Sequence, residues 1–257
     1  MRRDRRGSVV GRLGSAIATV TGNLYLVVAT LVLATLAVLV SWIPPRGNWV
    51  FFVARLWGRG LLASSGLRLR VIGRGDLDRR RGYVFMSNHR GLFDIPALLV
   101  SLPVQTRFLA KRSLFRIPIF GWAIALGGFV NIDRENLTTA RDSFSTAIGR
   151  LRQGVSLLVF PEGTRSAGTE LLPFKRGGFL LALKSGLPIV PVGITGSGVA
   201  RRRGSLKIRP RRIRVHYGRP IEVDEFSVRD RKRLMQIVRE RIEELTSEAA
   251  VEETDRE

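Results

Sequence analysis

A chain of 257 residues with no cysteine and only two histidines, His89 and His216, excludes a disulfide framework, a thiolate nucleophile and cysteine-ligated metal centres, and leaves no material for a histidine-rich metal site. That length allows one catalytic domain with an appendage. A formal charge of +22, mostly arginine, calls for an anionic partner: nucleic acid, a phosphorylated substrate or an anionic lipid surface.

The first residues carry Arg2, Arg3, Arg5, Arg6 and Arg12 against one acid, Asp4. An apolar stretch follows from Gly22 to Ile43, with no charge before Arg46, and it is about long enough to cross a bilayer core. Residues 48–66 are apolar but contain Arg55 and Arg59 at i and i+4, which suits an interfacial helix with tryptophan anchors better than a second span. Basic residues flank the first helix on both sides, whereas a simple crossing is basic on one side only. The expectation is a membrane-associated helical hairpin that returns to the cytoplasmic face. The alternatives are a single span and a cleaved signal peptide, whose apolar core is usually only about 7–15 residues.

From Leu67 the pattern turns to alternating strands and helices. Residues 67–72 alternate as a half-exposed strand, and residues 83–87 form a short buried one. Asp94-Ile95-Pro96 reads as a helix start with an acidic cap. Residues 107–110 and 129–132 read as short strands, with a loop or short helix around 111–122. Leu137, Ala140, Phe144, Ala147, Ile148 and Leu151 keep a 3.6 period, so residues 137–153 read as a helix capped by Gly154.

Continuous apolar strands are expected over residues 155–160 and 189–194, around a helix over 178–185 closed by Gly186. Residues 207–209 and 213–217 are expected to pair as late strands, and residues 228–245 form a charged amphipathic helix. The predicted fold class is α/β, with a central mostly parallel or mixed sheet flanked by helices. The predicted divisions are a basic leader over 1–21, membrane-inserted or interfacial helices over 22–66, the α/β domain over 67–247, and an acidic, disordered tail over 248–257.

Two short blocks carry the chemistry. The first is Asn88-His89-Arg90-Gly91-Leu92-Phe93-Asp94, directly after a strand. A neutral imidazole accepts a proton near neutral pH, and a carboxylate on its other nitrogen fixes the tautomer. A gap of five does not put two side chains on one helix face, but a loop entering a helix brings them together, and Gly91 permits a tight path. The alternative is a surface histidine with Asp94 acting only as a helix cap. The second block, Phe160-Pro161-Glu162-Gly163-Thr164-Arg165-Ser166, leaves a buried strand for a glycine-containing loop, where open sheets usually bind ligands. Arg165 is suited to gripping a phosphate, assisted by loop amides; the alternative is a structural turn with a solvated arginine.

Other chemistries lack their residues. There is no Gly-x-Ser-x-Gly, no Walker phosphate loop and no Gly-x-Gly-x-x-Gly fingerprint. The arginine run Arg201-Arg202-Arg203 reads as a solvated loop at lipid headgroups, and the basic patches lack the interleaved aromatics that stack on bases, so no nucleic acid partner is expected.

The ordered motifs resemble the lysophosphatidic acid acyltransferase family (1-acylglycerol-3-phosphate acyltransferases). Its Asn-His-x-x-x-x-Asp appears as Asn88, His89 and Asp94; its Gly-x-x-x-x-x-Arg as Gly128 to Arg134, with Asn131 where the family often has an apolar residue. Its Phe-Pro-Glu-Gly-Thr-Arg-Ser is complete at residues 160–166, and its apolar-proline run matches Ile189-Val190-Pro191-Val192. The surroundings of Lys111 and the stretch Pro173-Phe174-Lys175-Arg176 also fit. The resemblance spans roughly residues 67–220. It implies a glycerolipid acyltransferase fold, His89 as general base oriented by Asp94, and attack of a lyso-acceptor hydroxyl on a thioester without an acyl-enzyme.

The same resemblance implies Arg165 as the main phosphate ligand, with Lys111, Arg134 and Arg176 as further candidates. Glu162, Gly163 and Thr164 shape the acceptor site, and amides near Gly91 or Gly163 are candidates for oxyanion stabilisation. The implied donor is acyl-CoA or acyl carrier protein, the partners are lysophosphatidic acid and membrane lipids, and neither cofactor nor metal is expected.

Overall fold

The computed structural model describes residues 3–44, 46–132, 145, 147–149, 154–166, 168 and 170–254. Its centre is a seven-stranded sheet of β1 (Arg68–Ile72), β2 (Val84–Ser87), β3 (Thr106–Lys111), β4 (Val130–Ile132), β5 (Ser156–Val159), β6 (Ile189–Thr195) and β7 (Arg212–Tyr217), in the order β1-β7-β6-β2-β5-β3-β4. The strands β6, β2, β5, β3 and β4 run parallel to one another. Between β6 and β7 the pairing is antiparallel, with Gly193 opposite His216, and β7 pairs parallel to β1.

The central strands are apolar on both faces because both faces are covered. Phe85, Leu158, Val190, Val192 and Ile194 face one core, which includes Phe51 and Leu61 from α2 (Arg46–Ser64) and Ala97 and Leu98 from α3 (Asp94–Ser101). Their neighbours Val84, Met86, Leu157, Val159 and Ile189 face the other, against Phe179 and Ala182 from α6 (Arg176–Ser185) and Leu234, Val238 and Ile242 from α8 (Arg231–Thr254). This is the two-residue period of a strand read out as two separate cores. Shorter helices among the described residues are α4 (Arg112–Phe115), α5 (Phe120–Leu126) and α7 (Ser197–Ala200).

The first helix, α1, runs without a break from Arg3 to Val40, so the basic leader is continuous with the apolar segment. The chain turns over residues 41–44, and α1 packs antiparallel on α2. Thr21 Oγ1 donates to Ser64 O at 2.5 Å, Trp57 Nε1 donates to Thr30 Oγ1 at 3.0 Å, and Ala34 and Ala37 meet Val50, Val53 and Ala123. Trp57 is therefore turned inward, whereas Trp42, Trp49 and Trp122 are exposed.

Both halves of α1 also touch the α/β body. Ser15 Oγ donates to Ile208 O at 2.6 Å, Thr19 Oγ1 accepts the Ile208 N–H at 2.9 Å, and Asn23 Nδ2 donates to Leu206 O at 2.9 Å. Among the described residues, α1 is the one helix long and apolar enough to cross a membrane, over Val10–Val40 with mean hydropathy 2.4. Most of that window is exposed.

Two local expectations need correction. Residues 207–209 form no strand; their polar backbone is taken up by α1 and by Arg209 N–H donating to Ala200 O, and β7 pairs with β1 and β6 instead. The last helix begins at Arg231, three residues later than expected, and continues to Thr254, through most of the tail expected to be disordered. The helix expected over 137–153 falls largely outside the described residues; Ala147, Ile148 and Gly149 are helical and Ala147 is buried.

Candidate active site

The loops after β2, β5 and β6 meet because these three strands are neighbours and point the same way. The loop after β2 begins with Asn88, fully buried. Its Oδ1 accepts the Ile194 N–H at 2.7 Å and its Nδ2 donates to Ile194 O at 2.9 Å, so the amide acts as an extra rung on β6. The next residue, His89, leaves the sheet with its backbone tied to the loop after β5: its N–H donates to Glu162 Oε1 at 2.9 Å and its C=O accepts the Ser166 N–H at 2.9 Å.

The ring of His89 stacks on Phe160, with centroids 4.0 Å apart, and its Nδ1 lies 2.7 Å from Asp94 Oδ2. Asp94 is fully buried and the histidine side chain is 12% exposed. A buried carboxylate accepts, so Nδ1–H donates and Nε2 is left with its lone pair outward.

Asp94 was expected to cap the helix. It is instead the first residue of α3, after Phe93 at the cap position, and makes no capping bond. Its Oδ2 accepts the N–H groups of Arg90 and Gly91 as well, each at 2.7 Å, so one oxygen organises the whole loop around the imidazole. Gly91 is required by a close approach: a Cβ there would stand 2.8 Å from Ser197 O.

Glu162, 2% exposed, is a brace between loops. Its second oxygen accepts the Leu172 N–H at 2.9 Å. The turn that carries it is closed by Gly163 N–H donating to Phe160 O at 3.0 Å, with proline at its second position and Gly163 at a φ of 74°. The amides of Gly91 and Gly163, both candidates for stabilising an oxyanion, are thus already engaged. Thr164 is exposed at the loop's crest.

Beside this pair lies a cavity of about 280 Å3 lined by Arg90, Gly91, Leu92, Arg165, the segment from Arg201 to Leu206, and Leu26 of α1. Five arginines face it and no carboxylate lines it among the described residues. Burial lowers the Arg90 guanidinium below its ordinary value, against the pull of Glu162 and Asp94, and burial with the like charge of Arg165 lowers Arg201.

The structure therefore brings Arg165 together with the histidine loop but not the other expected cations. Lys111, exposed at the end of β3, and Arg176, exposed at the start of α6, do not line the cavity. Arg134 lies outside the described residues. Sequence reasoning missed Arg90 and Arg201. The available signal was position: Arg90 lies in the loop after β2, and Arg201 follows the short helix after β6.

In fold, the chain matches the crystal structure of the 1-acyl-sn-glycerophosphate (LPA) acyltransferase PlsC from Thermotoga maritima, with a TM-score of 0.78 and 24% identity over 96% of this chain and 98% of that one. The fold is thus that of an α/β protein with an N-terminal helix pair. A family model described as Acyltransferase matches residues 68–195, from the first residue of β1 to the last of β6. The match covers just under half of this chain.

Curated relatives named 1-acyl-sn-glycerol-3-phosphate acyltransferase include one from Cocos nucifera (39% identical, covering 56% of this chain and 47% of the relative) and one from Saccharomyces cerevisiae (35%, 58% and 50%). Another, from Haemophilus influenzae, is 35% identical over 56% of this chain and 60% of its own. The chain spans about half the length of the curated relatives it matches.

Proposed function

We propose that this chain is a membrane-associated O-acyltransferase that moves a fatty acyl group from acyl-CoA or acyl carrier protein to the sn-2 hydroxyl of 1-acylglycerol 3-phosphate, forming phosphatidic acid. The observation that carries the reading is a buried carboxylate–imidazole pair next to an arginine-lined cavity. The names of the curated relatives support the acceptor.

In this mechanism the acceptor's phosphate sits among the arginines and its hydroxyl reaches His89 Nε2. Nε2 takes the hydroxyl proton as the oxygen attacks the thioester carbonyl. The imidazolium is stabilised by Asp94, which keeps its own charge. Collapse of the tetrahedral intermediate breaks the C–S bond, and the departing thiolate takes the proton back from His89. The thioester carries its own activation, so neither ATP nor a metal is required.

Membrane association is supported by the exposed apolar face of α1, including Ile17, Leu24, Val28 and Leu31, continuous with Trp42 and Trp49. Both halves of α1 contact the α/β body, so a transverse crossing would drag that body into hydrocarbon. In-plane seating on the cytoplasmic leaflet suits the location of both donors and the many arginines. The test is an assay of the full chain with a panel of lyso-acceptors and both donors, the product identified by mass. Phosphatidic acid from 1-acylglycerol 3-phosphate is expected; its absence, or faster turnover of another acceptor, rejects the assignment.

A further inference from the structure

We infer that Arg201, on the loop after β6, is the second phosphate ligand beside Arg165, and that this pair selects an acceptor with a terminal phosphomonoester over one with a phosphodiester headgroup. The inference rests on the acceptor class proposed above and adds the residue that sets its specificity.

The run Arg201-Arg202-Arg203 looks like solvated charge in the sequence, yet the three residues do not share one environment. Arg202 and Arg203 are exposed, whereas Arg201 is half-buried. Its Nε donates to Ser205 O at 2.7 Å, which fixes the guanidinium plane and leaves the two terminal nitrogens for a ligand. The loop itself is held at its base: Arg209 N–H donates to Ala200 O at 2.9 Å, and Asn23 of α1 holds Leu206 O. A preset guanidinium loses little freedom on gripping an oxyanion.

Position favours the acceptor. Gly91 backs onto Ser197 O and a Cβ at Gly198 would meet Arg90 at 3.3 Å, so the turn leading to Arg201 lies against the loop that carries His89. Arg165 arrives from the other side of β2, and the two cations share the cavity of about 280 Å3 without a lining carboxylate. Like charges held together in this way gain most from a doubly charged partner. A terminal phosphate offers three oxygens, enough for two forks. A phosphodiester offers two oxygens and one charge, and its substituent competes for the same space.

The donor's phosphates are the other source of such an anion, and substrate kinetics separate the two. Full-length wild type, Arg201→Ala, Arg201→Lys and the remote exposed control Arg229→Ala are compared in detergent–lipid micelles. Arg201→Ala is expected to raise the KM for 1-acylglycerol 3-phosphate about ten- to a hundredfold, the scale of one charged hydrogen-bonded contact. It leaves the donor KM within about twofold and lowers the preference for phosphomonoester over lysophosphodiester acceptor by the same factor as the KM change. Arg201→Lys restores part of the affinity, because lysine supplies charge without the fork.

An unchanged acceptor KM, or equal changes for both substrates, overturns the inference. Glycerol 3-phosphate provides a readout independent of turnover: it is expected to raise the melting temperature of wild type and Arg229→Ala but not of Arg201→Ala. A wild type that binds glycerol 3-phosphate through Arg201 but acylates no 1-acylglycerol 3-phosphate upholds the anion site and rejects the acceptor reading. Absence of any shift in wild type rejects the site itself.

Discussion

Glu162 Oε1 accepts the backbone N–H of His89 at 2.9 Å, across 73 residues of sequence. The histidine is thus positioned by the carboxylate of the other motif as well as by Asp94. The two motifs are one object: the loop after β5 supports the loop after β2 through Glu162 and Ser166, and Phe160 supplies the surface on which the imidazole stacks.

Glu162→Ala removes the acceptor for two buried N–H groups, those of His89 and Leu172. Each unsatisfied buried donor costs about 1–3 kcal/mol. A fall of at least about 4 °C in melting temperature is expected, at about 2 °C or more per kcal/mol for a chain of this size. Activity falls with it, and Glu162→Gln, which keeps one acceptor oxygen, is milder on both counts. A calorimetric scan that finds Glu162→Ala as stable as wild type contradicts the bracing role.

Asp94→Asn keeps the side-chain shape but removes the charge and puts an NH2 donor in place of one oxygen; turned to the ring, that donor takes the Nδ1 lone pair. The imidazole then turns its lone pair to the wrong side, and kcat is expected to drop about 10²–10⁴-fold with a small change in KM. With only His89 and His216 in the chain, nitrogen NMR of the rings can follow the tautomer directly. An Asp94→Asn variant with wild-type turnover and an unchanged His89 tautomer argues against the pair.

Asn23→Leu and Thr19→Val remove bonds from α1 to the segment at 206–208. The arginine loop loosens at its base, so the acceptor KM is expected to rise about three- to tenfold, the range of one ordinary hydrogen bond, with the donor KM steady. Kinetics that change for the donor alone disprove this link between α1 and the cavity.

The proposed in-plane seating of α1 predicts that residues 8 and 247 lie on one side of the membrane. The chain has no native cysteine, so single cysteines at Ser8 and Ser247 report cleanly. Neither is expected to react with an impermeant thiol reagent in intact cells, and both react after lysis. Labelling of one alone establishes a crossing and excludes in-plane seating.

The core of the sheet was legible because β5 and β6 are buried on both faces and read as continuous apolar runs. The antiparallel entry of β7 was not. Alternation in Ile213, Val215 and Tyr217 is the same for either direction, and its partners lie at residues 68–72 and 192–195, far away in the chain. His89 and Asp94 were legible as a pair through the family resemblance, since residue type and spacing alone left a surface histidine open. Asp94's bonds to two loop amides were not, since they depend on a loop path no periodicity encodes.

Arg201 was hidden for a similar reason. A run of arginines is usually solvated, and only the adjacency of β6, β2 and β5 carries it to Arg165. The early start of α1 was missed because Arg12, Gly11 and Gly14 suggest a leader, while Ser15, Thr19 and Asn23 find their partners 193, 189 and 183 residues away.

The central claim is that His89 Nε2 takes the acceptor's proton, and the most direct measurement is turnover of 1-acylglycerol 3-phosphate to phosphatidic acid by purified wild type and His89→Ala, with product identified by mass. General base catalysis contributes about 10²–10⁴-fold, so a loss of at least about 10²-fold in kcat is predicted, with the melting temperature close to that of wild type. A folded His89→Ala enzyme that retains near wild-type turnover contradicts the account.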